Sequence, residues 1–189
     1  MKKLVLGIAL FAMPVGLLAS VGSNAASASA NVTGTGLVNC TKITGTITFK
    51  PALKLATAQT VTTTIVSTAT GCTGGTPKVI SSKSTSTSKK ANQTCANLQG
   101  TNAANFNTTY VSSPAGVAPS KFAGTSSSNG ATGNQHAGFK LKGKVTGSYP
   151  STTTTASATL QQTVNQIIAS CSGAGLSKLN IISGSIKNG

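Results

Sequence analysis

The chain has 189 residues and 15 basic residues, all of them lysine, but no Asp or Glu, so its formal net charge is +15. Charged residues make up 8% of the chain, compared with about 25% in ordinary soluble domains. Without side-chain carboxylates, the protein has no carboxylic general acid, base or nucleophile. It also lacks the paired carboxyl groups of glycosidases and any acidic metal ligand.

The N-terminus has the pattern of a secretory signal peptide. A positive n-region, Lys2-Lys3, precedes the apolar h-region Leu4–Leu18 and the A-x-A cleavage pattern Ala28-Ser29-Ala30. We expect residues 1–30 to be removed, although a cut two residues earlier fits nearly as well. The alternative is a retained membrane anchor, which the short apolar run and the absence of a following charge cluster disfavour. Residues 31–189 then form a single secreted β domain.

Four cysteines follow the signal peptide, at positions 40, 72, 95 and 171. An even number in an exported chain indicates two disulfides, for which three connectivities exist. A metal site would need closely spaced cysteines of the C-x-x-C kind, which the chain lacks. We therefore expect no metal and no cofactor.

A predicted hairpin selects one disulfide connectivity. Ile43–Phe49 alternates apolar or small residues with polar ones, and Val61–Ala69 does so less cleanly, as β-strands do. An antiparallel pairing of these strands, continued backwards, brings Cys40 beside Cys72. We therefore predict the disulfide Cys40–Cys72 and, by elimination, Cys95–Cys171.

The middle of the chain predicts two further strands and a long loop. Lys78–Thr87 is a Ser/Thr-rich strand, and Phe106–Val111 is a short one. The segment Ser112–Ala137 is rich in Ser, Gly, Pro and Asn, which predicts an extended Ser/Gly-rich loop.

The last third of the chain predicts one helix between strands. The apolar residues from Leu160 to Cys171 are spaced at i, i+4, i+7, i+8 and i+11, as on one face of a helix. A short α-helix is therefore expected at about Leu160–Cys171, followed by a strand at Leu176–Ile186. The expected fold is mainly β, an antiparallel β-sandwich with this one helix.

The clearest predicted strand carries a lysine stripe. In Phe139–Tyr149 the apolar residues point to one face, and Lys140, Lys142 and Lys144 point to the other. These lysines are candidate contacts for an anionic cell-wall polymer or a membrane surface. Nucleic acid is not expected as a partner, because Arg is absent and aromatic residues make up only 4% of the chain. The alternative is that the lysines only keep an acid-free protein soluble.

No catalytic constellation stands out. His136 is the only histidine and lies in the Gly/Asn-rich segment, with no carboxylate to orient it. A Ser–Lys dyad is uninformative where both residues are so common, and the chain has no phosphate-binding loop of the G-x-x-x-x-G-K type. We therefore expect a protein that is not an enzyme.

The acid-free composition predicts tolerance of low pH. Acid denaturation is mostly the protonation of carboxylates that are paired in the native state, and here no such side chain exists. This points to a protein that works in an acidic medium, secreted or loosely associated with the cell envelope. The rival explanation is selection for a cationic surface that holds to an anionic envelope.

Five segments carry a family-like pattern: Gly36–Cys40, the strand and turn Ile43–Leu53, Ala137–Phe139, Val145–Tyr149 and Cys171–Gly184. Through these segments the chain resembles small exported actinobacterial proteins of uncharacterised function. It implies a disulfide-bonded β domain and export, and it transfers no active residue. The expected function is thus a non-catalytic structural or interaction role. The alternative is a binding module for an anionic polymer, a lipid headgroup or a small apolar ligand.

Overall fold

A computed structural model describes residues 31–189, which form a closed antiparallel barrel of eight strands with a short α-helix at one end. The expected signal peptide, residues 1–30, lies outside the described residues. The strands are β1 (Thr35–Leu53), β2 (Gln59–Thr76), β3 (Lys78–Gln93), β4 (Asn102–Ser113), β5 (Ser120–Ser128), β6 (His136–Gly147), β7 (Ser151–Thr163) and β8 (Leu176–Asn188). The helix α1 (Val164–Ser172) joins β7 to β8, and a 3₁₀ helix (Cys95–Gln99) precedes β4.

The first strand closes the barrel. In β1, Ile47 lies opposite Ile65 of β2 on one side and opposite Leu179 of β8 on the other. The predicted β-sandwich is therefore wrong, because the eight strands form one sheet that returns to its first strand. Alternating strands bury one face in either architecture. A barrel differs from a sandwich by the pairing of its first strand with its last strand. This pairing leaves no local signal in the sequence.

Two predicted boundaries are also wrong. The helix starts at Val164, because the β-branched run before it continues as β7, in which Leu160 is buried as a strand residue. The true start is a capping box, in which the side chains of Thr163 and Gln166 each accept a hydrogen bond from the other's backbone N–H. The predicted loop Ser112–Ala137 contains β5, whose inner face is mostly Ser and Gly and so shows no apolar alternation.

The barrel has two different ends. At the closed end, the segment that leads into β1 pairs with the β4–β5 loop through a parallel bridge between Val32 and Val117. At the opposite end, which we call the helical end, lie α1, the 3₁₀ helix and the β1–β2 loop. No helix in residues 31–189 is long and apolar enough to span a membrane.

Tyr149 fills the closed end. Its side chain is 1% exposed, its hydroxyl donates to the Pro77 carbonyl over 2.7 Å, and its backbone N–H donates to the Gly34 carbonyl. Its ring meets that of Tyr110 edge to face, with 4.8 Å between centroids. The Tyr110 hydroxyl in turn forms a hydrogen bond with Ser120.

Each end carries one disulfide. Cys40–Cys72 joins β1 to β2 near the closed end, and Cys95–Cys171 joins the 3₁₀ helix to α1 at the helical end. Both pairs are those predicted from the sequence, since the register of the first hairpin places Cys40 opposite Cys72. Two disulfides without a free cysteine in the described chain are consistent with an oxidising compartment.

We predict that stability is nearly constant in acid and falls in strong alkali. No side-chain carboxylate exists to be protonated, so the melting temperature should change little between about pH 2 and pH 7. Burial raises the pKa of Tyr110, against a smaller lowering by the hydrogen bond to Ser120, and burial also raises the pKa of Tyr149.

The sign of the alkaline effect follows from these raised pKa values. The folded state favours the neutral phenols, so their contribution is complete below about pH 10, the unfolded pKa, and is lost as the pH rises through the higher folded pKa. Tyrosinate absorbance reports on these groups alone, because the chain has 2 Tyr and no Trp. A melting temperature that fell by many degrees toward pH 2, or tyrosinate that formed at the usual pH in the folded protein, would contradict the prediction.

Candidate ligand-binding cavity

A cavity of about 860 Å³ occupies the helical end of the barrel and extends beyond its wall, because outer-face residues of β4, β5 and β6 line it together with inward-facing ones. An eight-stranded barrel is just wide enough either to be filled by its own side chains or to hold one small ligand. Here a smaller space of about 90 Å³ extends the interior toward the closed end and shares part of its lining with the larger cavity. The inward side chains therefore leave room for a ligand.

Most of the cavity wall is apolar. Phe106 and Phe122 meet at 6.0 Å between ring centroids and form a small cluster separate from the main core. Phe139 and Leu141 of β6 point inward and yet stay only half-buried, because they border empty space. Large apolar side chains of four further strands also line the wall: Ile47, Phe49, Leu53, Ile65, Leu160 and Leu179.

One strand supplies a polar stripe. The inward positions of β3 are successive serines, Ser82, Ser84, Ser86 and Ser88, and all four border the interior space. Ser84 shares a hydrogen bond of 2.9 Å with Thr108 of β4. These small side chains create the volume that larger residues would fill, and their hydroxyl groups face the apolar wall.

The helix α1 covers part of the helical end. Its apolar face, formed by Val164, Ile167, Ile168 and Cys171, borders the cavity. The Lys54 ammonium donates to the carbonyls of Gly173 and Ala174 at 3.0 and 2.7 Å, just after the last residue of the helix.

The rim of the opening carries exposed apolar side chains. Leu55 is 47% exposed and Ile168 is 44% exposed, and both border the cavity. Leu55 is held in place because its backbone N–H donates to the Cys171 carbonyl over 3.1 Å. The entrance therefore has an apolar rim, and the disulfide Cys95–Cys171 links the elements around it.

A gap between β3 and β4 opens the cavity to the outer surface of the barrel. The pairing of β3 with β4 ends at Thr85 and Asn107, although β3 continues to Gln93. Outward-facing side chains near this gap, Asn105 and Lys144 among them, line the same cavity as the inward-facing ones. The interior is therefore continuous with the outer surface beside β4 and β6.

The predicted lysine stripe lies on the outer face of the barrel. Lys140, Lys142 and Lys144 are exposed on β6, and only Lys144 borders the cavity. Lys187 of β8 extends the stripe, because Thr155 of β7 lies opposite both Lys142 and Lys187. The structure thus brings lysines of two strands together without any acidic side chain among them.

The remaining sequence candidate is the single histidine. His136 Nδ1 lies 3.0 Å from the Leu160 carbonyl, at the start of β6. In residues 31–189, no group of three or more His, Cys, Asp or Glu side chains is placed to hold a metal ion.

Sequence reasoning missed the cavity and the inward lysine at its edge, Lys90. The signal was present as an alternation of small hydroxyl residues with outward polar residues from Ser82 to Ser88, continued by Lys90. Such a strand has no apolar face that would indicate an inward side. The structure shows that its inner face borders a cavity.

No protein-family model, no curated protein and no solved structure matches the chain.

Proposed function

We propose that this is a secreted, non-catalytic carrier that binds a small apolar molecule inside the barrel. The observation that carries the proposal is the cavity of about 860 Å³ with its mostly apolar wall. Ligand-binding cavities typically measure about 300 to 1,000 Å³ and combine apolar walls with a few polar groups. The serines of β3 are such polar groups.

The strands and the disulfide around the cavity support a binding site that is formed before the ligand enters. Each strand pairs with both of its neighbours apart from the gap between β3 and β4, the closed end is filled by Tyr149, and the helical end is held by Cys95–Cys171. A rigid apolar site loses little ordering entropy when the ligand enters. The acid-free composition keeps such a site intact in an acidic medium, because no carboxylate of the frame becomes protonated.

We predict that a bulky side chain at Ser86 abolishes ligand binding without unfolding the protein. Ser86 lies on the inner face of β3 and borders the cavity, so Ser86→Phe places an aromatic ring in the space for the ligand. The probe is the neutral fluorophore N-phenylnaphthylamine, whose emission rises in apolar surroundings. Saturable binding by the unmodified protein should fall at least tenfold in affinity in Ser86→Phe, the loss of about 1.4 kcal/mol of binding free energy.

The matched control is Thr85→Phe on the same strand. Thr85 is exposed on the outer face and does not border the cavity, so this variant should bind the probe like the unmodified protein. Melting temperatures show whether both variants are folded. The proposal fails if the unmodified protein does not bind the probe saturably, or if both variants lose affinity equally while they stay folded.

A second candidate function is favoured by the outer lysine stripe. Lys140, Lys142, Lys144 and Lys187 form a basic surface that no acidic side chain balances, which suits attachment to an anionic envelope polymer. We expect the triple variant Lys140→Gln, Lys142→Gln and Lys187→Gln, at positions that do not border the cavity, to elute from an immobilised teichoic-acid-type polyphosphate at clearly lower salt than the unmodified protein. Equal elution would exclude the stripe as the contact surface, and binding of the neutral probe should be unchanged.

A further inference from the structure

Lys90 differs from the other strand lysines because it faces the interior. It lies opposite Val61 of β2, which is 1% exposed, and directly opposite residues share a face of the sheet. Lys90 is half-buried and borders the cavity, whereas its neighbour Lys89 is exposed on the outer face. The other strand lysines in residues 31–189 are exposed as well.

The Lys90 ammonium has no anionic partner among the described residues. The chain has no Asp or Glu, and the carboxyl-terminal residue Gly189 lies at the closed end, where its N–H donates to the Thr153 carbonyl. Lys54, the other half-buried lysine, is already bonded to two carbonyls of the helix terminus. A charge beside an apolar cavity is stabilised by an opposite charge, and a bound anion supplies the one that the described residues lack.

Two further lysines near Lys90 also favour an anionic ligand. Lys121 and Lys144 border the same cavity from the outer side of the gap between β3 and β4. All three charges are positive, so the local field attracts an anion and repels a cation. From Lys90 the cavity continues past the serines of β3 to the aromatic pair Phe106 and Phe122.

We infer that the ligand is an amphiphile with one anionic head group, of the alkyl carboxylate class. The carboxylate lies at Lys90, and the alkyl chain extends along β3 into the apolar interior. The single inward ammonium matches a head group with one negative charge. Among residues 31–189, the inner part of the cavity has no second charged residue in its lining, which suits an uncharged alkyl chain. This inference rests on the proposed function, since it assigns a head-group site to the same cavity.

The test compares three ligands of equal chain length as competitors of N-phenylnaphthylamine: dodecanoate, dodecanol and dodecyltrimethylammonium. The unmodified protein should bind dodecanoate at least tenfold more tightly than dodecanol, the effect of one hydrogen bond between charged groups. The cationic ligand should bind more weakly than dodecanol. Lys90→Gln should remove the preference for dodecanoate while leaving the affinity for dodecanol unchanged.

The matched control is Lys89→Gln, which removes the same charge from the outer face and should keep the preference. If both variants lose the preference equally, the head group responds to net charge and the assignment to Lys90 is overturned. If dodecanol binds as tightly as dodecanoate, the anionic class is wrong while the carrier proposal stands. If neither the probe nor any of the three ligands binds, the carrier proposal and this inference fail together.

Discussion

Replacing Cys95 and Cys171 with alanine is expected to lower the free energy of unfolding by about 4 to 5 kcal/mol and the melting temperature by roughly 10 to 15 °C. The disulfide closes a loop of 76 residues, and cross-links between positions far apart in sequence restrict the unfolded chain most. Both cysteines are also buried, so the native state loses packing when the sulfur atoms are removed.

The same change should weaken ligand binding. Cys95–Cys171 joins the 3₁₀ helix to α1, and the apolar face of α1 borders the cavity. Without the bond, the helix keeps its hydrogen bonds to Leu55 and to the segment 133–135 but loses its covalent link to the 3₁₀ helix. We expect the affinity for N-phenylnaphthylamine to fall severalfold at a temperature at which the double variant is still folded.

The second disulfide supplies the matched control. Cys40–Cys72 spans 32 residues, so removing it should cost about 1 kcal/mol less than removing Cys95–Cys171. It lies near the closed end, away from the rim, and the probe affinity should therefore stay unchanged. Chemical unfolding with guanidinium and probe titration of both double variants measure the two quantities. Equal losses of probe affinity in both would show that the helical end has no special part in binding.

The pairing of strands that are close in sequence could be predicted, but the closure of the sheet into a barrel could not. The hairpin that pairs Cys40 with Cys72 joins segments close in sequence, and the strand period alone predicts which residues lie opposite each other. Closure depends on the pairing of β1 with β8, which lie at opposite ends of the described chain. The inner face of such a barrel alternates just as that of a sandwich does, so the residues of β1 are compatible with both folds.

The candidate site escaped prediction for a related reason. Sequence patterns identify a buried face by its apolar residues, but the inner face of β3 consists of serines and Lys90 because it borders open space. The lysine stripe was recognised because Lys140, Lys142 and Lys144 alternate with the apolar residues of β6. Polar residues at strand period therefore indicate either an outer face or a cavity wall, and only the closed fold separates the two.

Replacing Tyr149 with alanine is expected to cost about 3 to 5 kcal/mol of unfolding free energy, the range for removing a buried aromatic side chain. Its ring packs edge to face on Tyr110, and its hydroxyl is bonded to the Pro77 carbonyl. Tyr149→Phe keeps the ring and loses only the hydrogen bond, so its cost should be about 1 kcal/mol. The difference between these variants measures the contribution of the ring that closes this end of the barrel.

The packing of Gly34 against Tyr149 provides a second test of the role of this ring at the closed end. A Cβ atom at Gly34 would lie 2.4 Å from Cζ of Tyr149, so Gly34→Ala should destabilise the protein by about 1 to 3 kcal/mol through overpacking. In the Tyr149→Ala background the ring is absent, and the same substitution should cost far less. A double-mutant cycle measured by chemical unfolding gives this coupling directly. Additive effects would mean that Gly34 and Tyr149 do not pack against each other at the closed end.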